Sequence, residues 1–314
     1  MRRALLLLAV LAVPGAHAAA TGGTPVALVT AEAQNQLLAV ELPSGRVVKR
    51  LQLPTDPQNV EANQRVAVVV STRGHAVTLV DVQRLAIVRV FRDFREPHIA
   101  ALSPNGDYAY VTDDARGQLV VIGLARKRIV ARVFVGFGAH HMAFRPHHHE
   151  LWIVLGERAQ SIHIVDTTYA AHPRPRGWFS PGTGLMHDLA FPAGGRRVWI
   201  AYDDQPRVDV FDVRTRRRVL TLSAGTPPQH VAFQRYVYVT SGNDGELRIF
   251  SVGGRLLHTT ATPTGSFNLG LGGGIVLTPS LTQGTLTELT DTGRLLGSKR
   301  VATAARDAAL VVLP

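Results

Sequence analysis

The chain has 314 residues, a formal net charge of +11 and no cysteine, and 6% of its residues are aromatic. The absence of cysteine excludes disulfides, thiol catalysis and thiolate metal sites. The basic charge is compatible with an acidic partner, and the positions of the arginines in the fold decide whether such a surface exists.

The first 18 residues have the pattern of a secretory signal peptide. Arg2 and Arg3 precede an apolar run at 4–13, Pro14-Gly15 interrupts that run, and Ala16-His17-Ala18 supplies small residues for cleavage. The run is shorter than the roughly 18 apolar residues that a membrane span needs. We therefore predict a signal peptide at 1–18 and an extracytoplasmic protein, periplasmic or secreted. We expect no membrane span in the mature chain.

A five-residue motif (polar, polar, aliphatic, small, bulky apolar) then occurs seven times, at steps of 38 to 47 residues. Its second position is held in turn by Asn59, Ile99, His141, Asp188, His230, Asn268 and Asp307. Each copy contains about four short Val/Ile/Tyr-rich runs between polar, Gly or Pro turns, and no segment has a helical apolar period. Four strands per repeat of about 40 residues predict an all-β, seven-bladed β-propeller of four-stranded blades. We expect it to form a single domain over residues 19–314.

The strands can be predicted along the chain. In the second copy we place them at residues 99–103, 108–112, 118–124 and 128–135. The N-terminal part supplies only second to fourth strands, at 26–31, 36–42 and 46–53. The segment 308–313 matches only a first, innermost strand. We therefore predict that the N-terminal strands and the C-terminal innermost strand close the ring in one shared blade.

The fourth position of the motif is small in six copies, and Glu61 occupies it in the first copy. Small residues suit the crowded axis of a propeller. Glu61 either reaches the axial channel or a neighbouring arginine, or it marks a slipped alignment in a degenerate first copy. Of these interpretations we favour the slipped alignment.

Several segments carry a family resemblance. Tyr108-Ala109-Tyr110-Val111-Thr112-Asp113 resembles the repeat named for its Tyr-Val-Thr-Asn signature, and the segment 236–241 is similar. Val165-Asp166-Thr167 and Phe211-Asp212-Val213 match the Val-Ile-Asp that follows it. The mature chain thus resembles the exported YVTN-repeat (YncE-like) seven-bladed propellers. The resemblance implies the fold and leaves the activity open, because the family contains binding proteins, cofactor-associated proteins and a few enzymes.

The leading polar residues of the motif should converge on one face of the propeller, here called the top face. The ligand-binding candidates there are His98, His140, His141, His187, Asp188, His230, Asn59, Asn268 and Asp307. The turns between second and third strands should add Glu32, Asp113, Asp114, Glu157, Asp203, Asp204 and Asp244. Histidines beside carboxylates can bind a divalent transition metal, for which His98, His140 and His187 are the candidates. They can equally bind a polar ligand or a protein, or simply satisfy backbone groups and water at the channel.

Three conspicuous features fit other interpretations better. His147-His148-His149 aligns with a turn on the opposite, bottom face, so we interpret it as solvated. The arginines fall on turns scattered around the rim, and few aromatics accompany them, so nucleic acid is not an expected partner. The segment 168–183, which lengthens one repeat, is an extra loop that contacts a partner or covers a blade edge.

Binding rather than catalysis is the function that we favour from the sequence. We predict an exported monomeric scaffold that binds a small ligand or a protein through its His-rich top face. One alternative is a metal- or His-dependent lyase or lactonase-like enzyme at the channel mouth. Another, implied by the similarity to heme d1-associated propellers, is a cofactor-handling protein. A divalent metal is the only cofactor class that the residues themselves suggest.

Overall fold

The computed structural model describes residues 23–156, 160–182 and 184–314, so the predicted signal peptide and Glu157 lie outside the described residues. The described chain forms 28 strands in seven four-stranded antiparallel sheets. Two single-turn 3-10 helices, Glu32–Gln34 and Asp114–Arg116, follow second strands of blades. The fold is the predicted seven-bladed β-propeller.

The blades are numbered in chain order, and the strands of each are given from the axis outward. Blade 1 contains β28 (Ala305–Leu313), β1 (Thr24–Ala31), β2 (Gln36–Glu41) and β3 (Arg46–Gln52). Blade 2 contains β4 (Pro57–Ala62), β5 (Val66–Ser71), β6 (Ala76–Asp81) and β7 (Ala86–Phe91). Blade 3 contains β8 (Pro97–Leu102), β9 (Tyr108–Asp113), β10 (Gln118–Gly123) and β11 (Arg128–Phe134). Blade 4 contains β12 (Ala139–Phe144), β13 (Glu150–Leu155), β14 (Ile162–Asp166) and β15 (Arg174–Phe179).

The remaining three blades follow the same order. Blade 5 contains β16 (Met186–Ala190), β17 (Arg197–Tyr202), β18 (Arg207–Asp212) and β19 (Arg218–Ser223). Blade 6 contains β20 (Val231–Phe233), β21 (Val237–Ser241), β22 (Glu246–Phe250) and β23 (Leu256–Ala261). Blade 7 contains β24 (Gly270–Gly272), β25 (Ile275–Pro279), β26 (Thr285–Thr290) and β27 (Leu295–Arg300). The pairing of β28 with β1 closes the ring as predicted.

The bulky fifth position of the motif packs neighbouring blades together. Phe191 of blade 5 meets the buried Trp152 of blade 4 edge to face, with ring centroids 5.3 Å apart. Phe233 of blade 6 contacts Trp199 of blade 5 in the same way, at 5.5 Å. Edge-to-face contacts of this kind add to the hydrophobic gain of burying the rings. The core therefore runs between the blades and keeps the inner strands in a fixed arrangement around the axis.

The register of blade 2 corrects the interpretation of Glu61. Glu61 pairs with Val68, just as the small residue Ala101 pairs with Tyr110 in blade 3. The alignment is therefore not slipped, and the favoured interpretation was wrong. Apolar residues on both sides of Glu61 fix the strand, so the carboxylate faces the axial channel, whose cavity of about 440 Å³ it lines.

The long repeat also differs from the expectation of an extra loop. The segment 168–183 contains β15, the outer strand of blade 4. Five of its six residues are exposed, and Pro175 and Gly177 interrupt the β pattern. Such residues are tolerated on edge strands, which is why the strand was not predicted.

Threonines of two second strands tie their blades to the next blade. The Thr112 hydroxyl donates to the carbonyl of His140 at 2.9 Å and accepts the Ile99 N–H at 3.2 Å. Thr240 makes the equivalent bond to the carbonyl of Phe267 at 2.5 Å. These two threonines thus hold the backbone at or just before the first strand of the following blade.

Replacing Thr112 by valine should lower the free energy of unfolding by about 1–3 kcal/mol, because the part-buried His140 carbonyl and Ile99 N–H each lose a partner. Urea unfolding measures the change. The control is Thr259→Val on the exposed face of β23, for which we expect no loss. Equal stabilities of the two variants would contradict the role assigned to Thr112.

No helix among the described residues is long and apolar enough to cross a bilayer.

Candidate functional site

β-Bulges position the leading polar residues of the motif. The pairing of first and second strands shifts between Pro57 and Asn59, Pro97 and Ala100, Ala139 and Met142, and Met186 and Leu189. In a regular strand, consecutive side chains point to opposite faces. A bulge re-aims them, so two adjacent residues such as His140 and His141 can both reach the mouth of the channel.

Five predicted histidines meet at this mouth, and we call His98, His140, His141, His187 and His230 the histidine cluster. They come from blades 3, 4, 5 and 6 and line a cavity of about 310 Å³. The rings of His141, His187 and His230 lie with centroids 4.6 to 5.0 Å apart. The rings of His98 and His140 are stacked at 3.5 Å with an interplanar angle of 19°.

The cluster contains two sets of three imidazoles whose nitrogen atoms lie within 4.8 Å of one another. The channel triad is His141, His187 and His230, two of which also line the axial channel. The groove triad is His98, His140 and His141, two of which line a top-face groove of about 630 Å³. His141 belongs to both sets.

One pair of ring nitrogens in the cluster lies at hydrogen-bond distance, which is also close to the spacing of two metal ligands. His187 Nε2 lies 3.1 Å from His230 Nε2. Two nitrogens bound to one tetrahedral zinc ion at about 2.0–2.1 Å are separated by about 3.4 Å. A small movement of either ring would therefore bring both lone pairs onto one ion.

Carboxylates lie close to the Nδ1 atoms of three of the imidazoles. Asp114 lies 3.1 Å from His140 Nδ1, and Asp188 lies 3.3 Å from His141 Nδ1. Asp203 lies 3.0 Å from Nδ1 of His187, although the two are not aligned for a hydrogen bond. Metal-binding histidines commonly present Nδ1–H to such a carboxylate, which leaves the Nε2 lone pair free for the ion.

Three imidazoles of the cluster are held neutral. Burial lowers the pKa of His98, His141 and His230 well below the ordinary value of 6.5, and the neighbouring imidazoles lower it further. Protonating any one of these three rings would place a poorly solvated positive charge beside the other imidazoles. The neutral imidazole is the form that binds metals, so these three rings are ready to bind an ion at neutral pH without losing a proton.

Two of the other predicted site residues join neighbouring blades. Asp307 accepts the Val60 N–H and the Asn59 side-chain amide, both at 2.9 Å. Asn59 in turn accepts the Ala100 N–H at 2.9 Å. These bonds match the interpretation in which polar residues satisfy backbone groups near the channel.

Asp188 and Asn268 have similar bonds. Asp188 accepts the Val231 N–H at 2.8 Å while its other oxygen faces His141. Asn268 donates to the carbonyl of Arg306 at 3.0 Å. Among the non-histidine candidates, Asp188 alone connects blade packing directly to the histidine cluster.

Arg306 also lines the mouth, although it was not among the predicted site residues. It lies 3.4 Å from Glu32 and contributes to the lowered pKa of the neighbouring histidines. Its position was available from the sequence, because it holds the first place in the seventh motif, where blade 3 has His98.

The conspicuous histidine run lies elsewhere. His147, His148 and His149 are exposed in the turn between β12 and β13, at the other end of the strand from the cluster. The metal-compatible sets found among the described residues do not include them. This placement agrees with the solvated turn predicted from the sequence.

No protein-family model and no curated protein matches the chain. Solved structures match in fold. A functionally unknown protein from Desulfotomaculum acetoxidans has a TM-score of 0.80 at 11% identity, over 92% of this chain and 99% of that one. The apo AztD structure from Citrobacter koseri has a TM-score of 0.68 at 9% identity, over 92% and 98%. The dihydro-heme d1 dehydrogenase NirN has a TM-score of 0.65 at 13% identity, over 88% and 63%. At such identities the similarity concerns the fold alone.

Proposed function

We propose that this protein binds a divalent transition metal ion, with zinc as the best fit, at the histidine cluster in the channel mouth. The observation that carries the proposal is the channel triad, whose nitrogens lie within 4.8 Å of one another and include an Nε2 pair at 3.1 Å. The carboxylates behind the imidazoles support it, because they favour the tautomer that metals require.

The buried ring nitrogens favour an ion over a purely structural role. The Nδ1 atoms of His187 and His230 are buried without a hydrogen-bond partner. Histidines that serve only to satisfy the backbone would use these atoms, since an unmet buried polar atom costs about 1–3 kcal/mol. An ion bound at Nε2 of His187 would leave the ring proton on Nδ1, which faces the Asp203 carboxylate at 3.0 Å.

The donor set selects the class of metal. Imidazole nitrogens suit Zn²⁺, Cu²⁺, Ni²⁺ and Fe²⁺, whereas Ca²⁺ and Mg²⁺ require oxygen ligands. Three nitrogens fill three positions of a tetrahedral ion and leave the fourth open to water or to a donor from a bound molecule.

Metal analysis tests the proposal. Chelator-treated protein is equilibrated with Zn²⁺, desalted and assayed for bound metal, and Co²⁺ is used in parallel because its visible spectrum reports tetrahedral coordination. We expect at least one equivalent of zinc per chain and a tetrahedral cobalt spectrum, with Ca²⁺ and Mg²⁺ not retained. Recovery of metal-free protein after exposure to Zn²⁺ and Co²⁺ would reject the proposal.

Replacing Asp203 by asparagine should weaken zinc binding about 10- to 100-fold, because His187 loses the charge that orients and polarises its ring. Asp204→Asn is the matched control, since the Asp204 carboxylate accepts the Leu185 N–H at 2.9 Å instead. A chelator competition assay gives both affinities. Equal weakening in the two variants would point to the turn as a whole rather than to the carboxylate behind His187.

The open coordination position supports a second candidate function. Three histidines and a free position are also the pattern of catalytic zinc, and the mouth has room for a small substrate. Hydrolysis of lactones and esters by the zinc-loaded protein would favour the enzyme. An unchanged spectrum on adding a heme would argue against the cofactor-handling alternative.

We further propose that the chain is exported and forms one domain over residues 19–314, related to the YVTN-repeat propellers. The apolar segment at 4–13 and the signature at 108–113 support this. N-terminal sequencing of the protein recovered from a secreting host would test the predicted cleavage after residue 18.

A further inference from the structure

The two triads of the histidine cluster open onto different spaces. His98 and His140 line the top-face groove together with Asp114 and Phe137. His141 and His230 line the axial channel below the mouth. An ion held by the groove triad therefore lies next to the groove, whereas an ion held by the channel triad lies next to the channel.

The triads also differ in how ready they are to bind. The channel triad has rings tilted by 48° to 77° to one another, and its Nε2 pair is 3.1 Å apart. In the groove triad, His98 and His140 are stacked nearly parallel, so their lone pairs run side by side. His98 and His140 can bind the same ion only if their stacked rings move apart. The groove triad is therefore the weaker of the two sites.

His141 cannot serve two ions at once. Its Nδ1 side faces Asp188 at 3.3 Å, and Asp188 is held in turn by the Val231 N–H. This arrangement leaves only Nε2 for a metal. Two divalent ions in neighbouring triads would also repel each other, because the two sets share His141 and lie close together.

We propose that the cluster is a two-position site for a single ion, with the groove triad as the position of uptake and release and the channel triad as the position of storage. The ion moves between the two positions by keeping His141 as a ligand and exchanging the other histidines. This inference rests on the proposed metal binding and adds to it a stoichiometry, an order of affinities and a route.

The two positions predict different effects for ligands on either side of His141. Loss of His98 disables the groove triad alone, so the uptake and the release of zinc should both slow down about tenfold. Loss of His230 disables the channel triad alone, so the protein should still take one ion, about 100-fold more weakly. Loss of His141 removes both positions.

The experiment compares the full-length mature protein with its His98→Ala, His230→Ala and His141→Ala variants. Zinc titration gives stoichiometry and affinity, stopped-flow mixing with a chromogenic chelator gives the rates, and circular dichroism checks the fold. We expect one equivalent for the unmodified protein, slow exchange in His98→Ala, one weak equivalent in His230→Ala, and no binding in His141→Ala.

Two results would overturn the inference while leaving the proposed function intact: two equivalents in the unmodified protein, or unchanged exchange rates in His98→Ala. Absence of any binding by the unmodified protein would instead reject the proposed function itself. Neither of the first two measurements uses the His141→Ala variant, so both can be made even if that variant does not fold.

Discussion

Replacing His187 by alanine is expected to reduce the affinity for Zn²⁺ at least about 100-fold, or about 2.7 kcal/mol, while the propeller stays folded. His187 supplies the nitrogen nearest to His230 and lies between His141 and the Asp203 carboxylate. Without it the channel triad has two ligands, and the ion must use the stacked groove triad. Chelator competition measures the affinity, and thermal unfolding by circular dichroism confirms that the fold remains.

His148→Ala is the control for this prediction, because His148 is exposed on the bottom-face turn. We expect it to bind zinc like the unmodified protein. A stronger effect of His148→Ala than of His187→Ala would place the metal on the exposed histidine run and reject the assignment to the channel mouth.

Replacing Glu61 by glutamine is expected to stabilise the protein at pH 8 by about 2 kcal/mol. Burial, with a contribution from Asp307, raises the pKa of Glu61 from 4.5 to about 7. Because the pKa is raised in the folded protein, protonated Glu61 makes its full contribution to stability below about pH 4.5. This contribution is lost as the pH rises through about 7. The shift corresponds to about 3 kcal/mol at most, and water in the channel will reduce it.

Urea unfolding at pH 5 and pH 8 measures this effect. The gain in stability from Glu61→Gln should be small at pH 5 and reach its full size at pH 8, because glutamine carries no charge at either pH. Glu96→Gln, at an exposed position, is the control for which no gain is expected. A gain that is the same at both pH values would contradict a buried charge as its cause.

The fold was predictable because a propeller repeats its physical requirements seven times. Each first strand needs small residues at the axis and a bulky residue between blades, so even a weak motif becomes clear when it recurs. Single copies were less informative. Glu61 resembled a misalignment because a carboxylate at a crowded axis is costly, and only the pairing of Glu61 with Val68 establishes the register. The outer strand β15 was missed because exposed edge strands need little apolar character.

The histidine cluster was predictable as a set of residues but not as a site. Sorting positions by face brought the five histidines and the acids Asp114 and Asp203 to one end of the channel. The pairing of three of the rings with carboxylates depends on the β-bulges, which change side-chain direction by amounts that no sequence period reports. The division of the cluster into two triads depends on distances of a few ångströms between ring nitrogens, which the sequence does not specify.

Each ligand of the channel triad comes from a different blade, and this affects cooperativity. Blades of a propeller contact mainly their neighbours, so a ring of this kind can open locally between any two of them. An ion held by His141, His187 and His230 would cross-link blades 4, 5 and 6 at the axis, because each blade supplies one of its ligands. Those three blades would then exchange their amide protons as one unit in the metal-bound protein and as separate units in its absence.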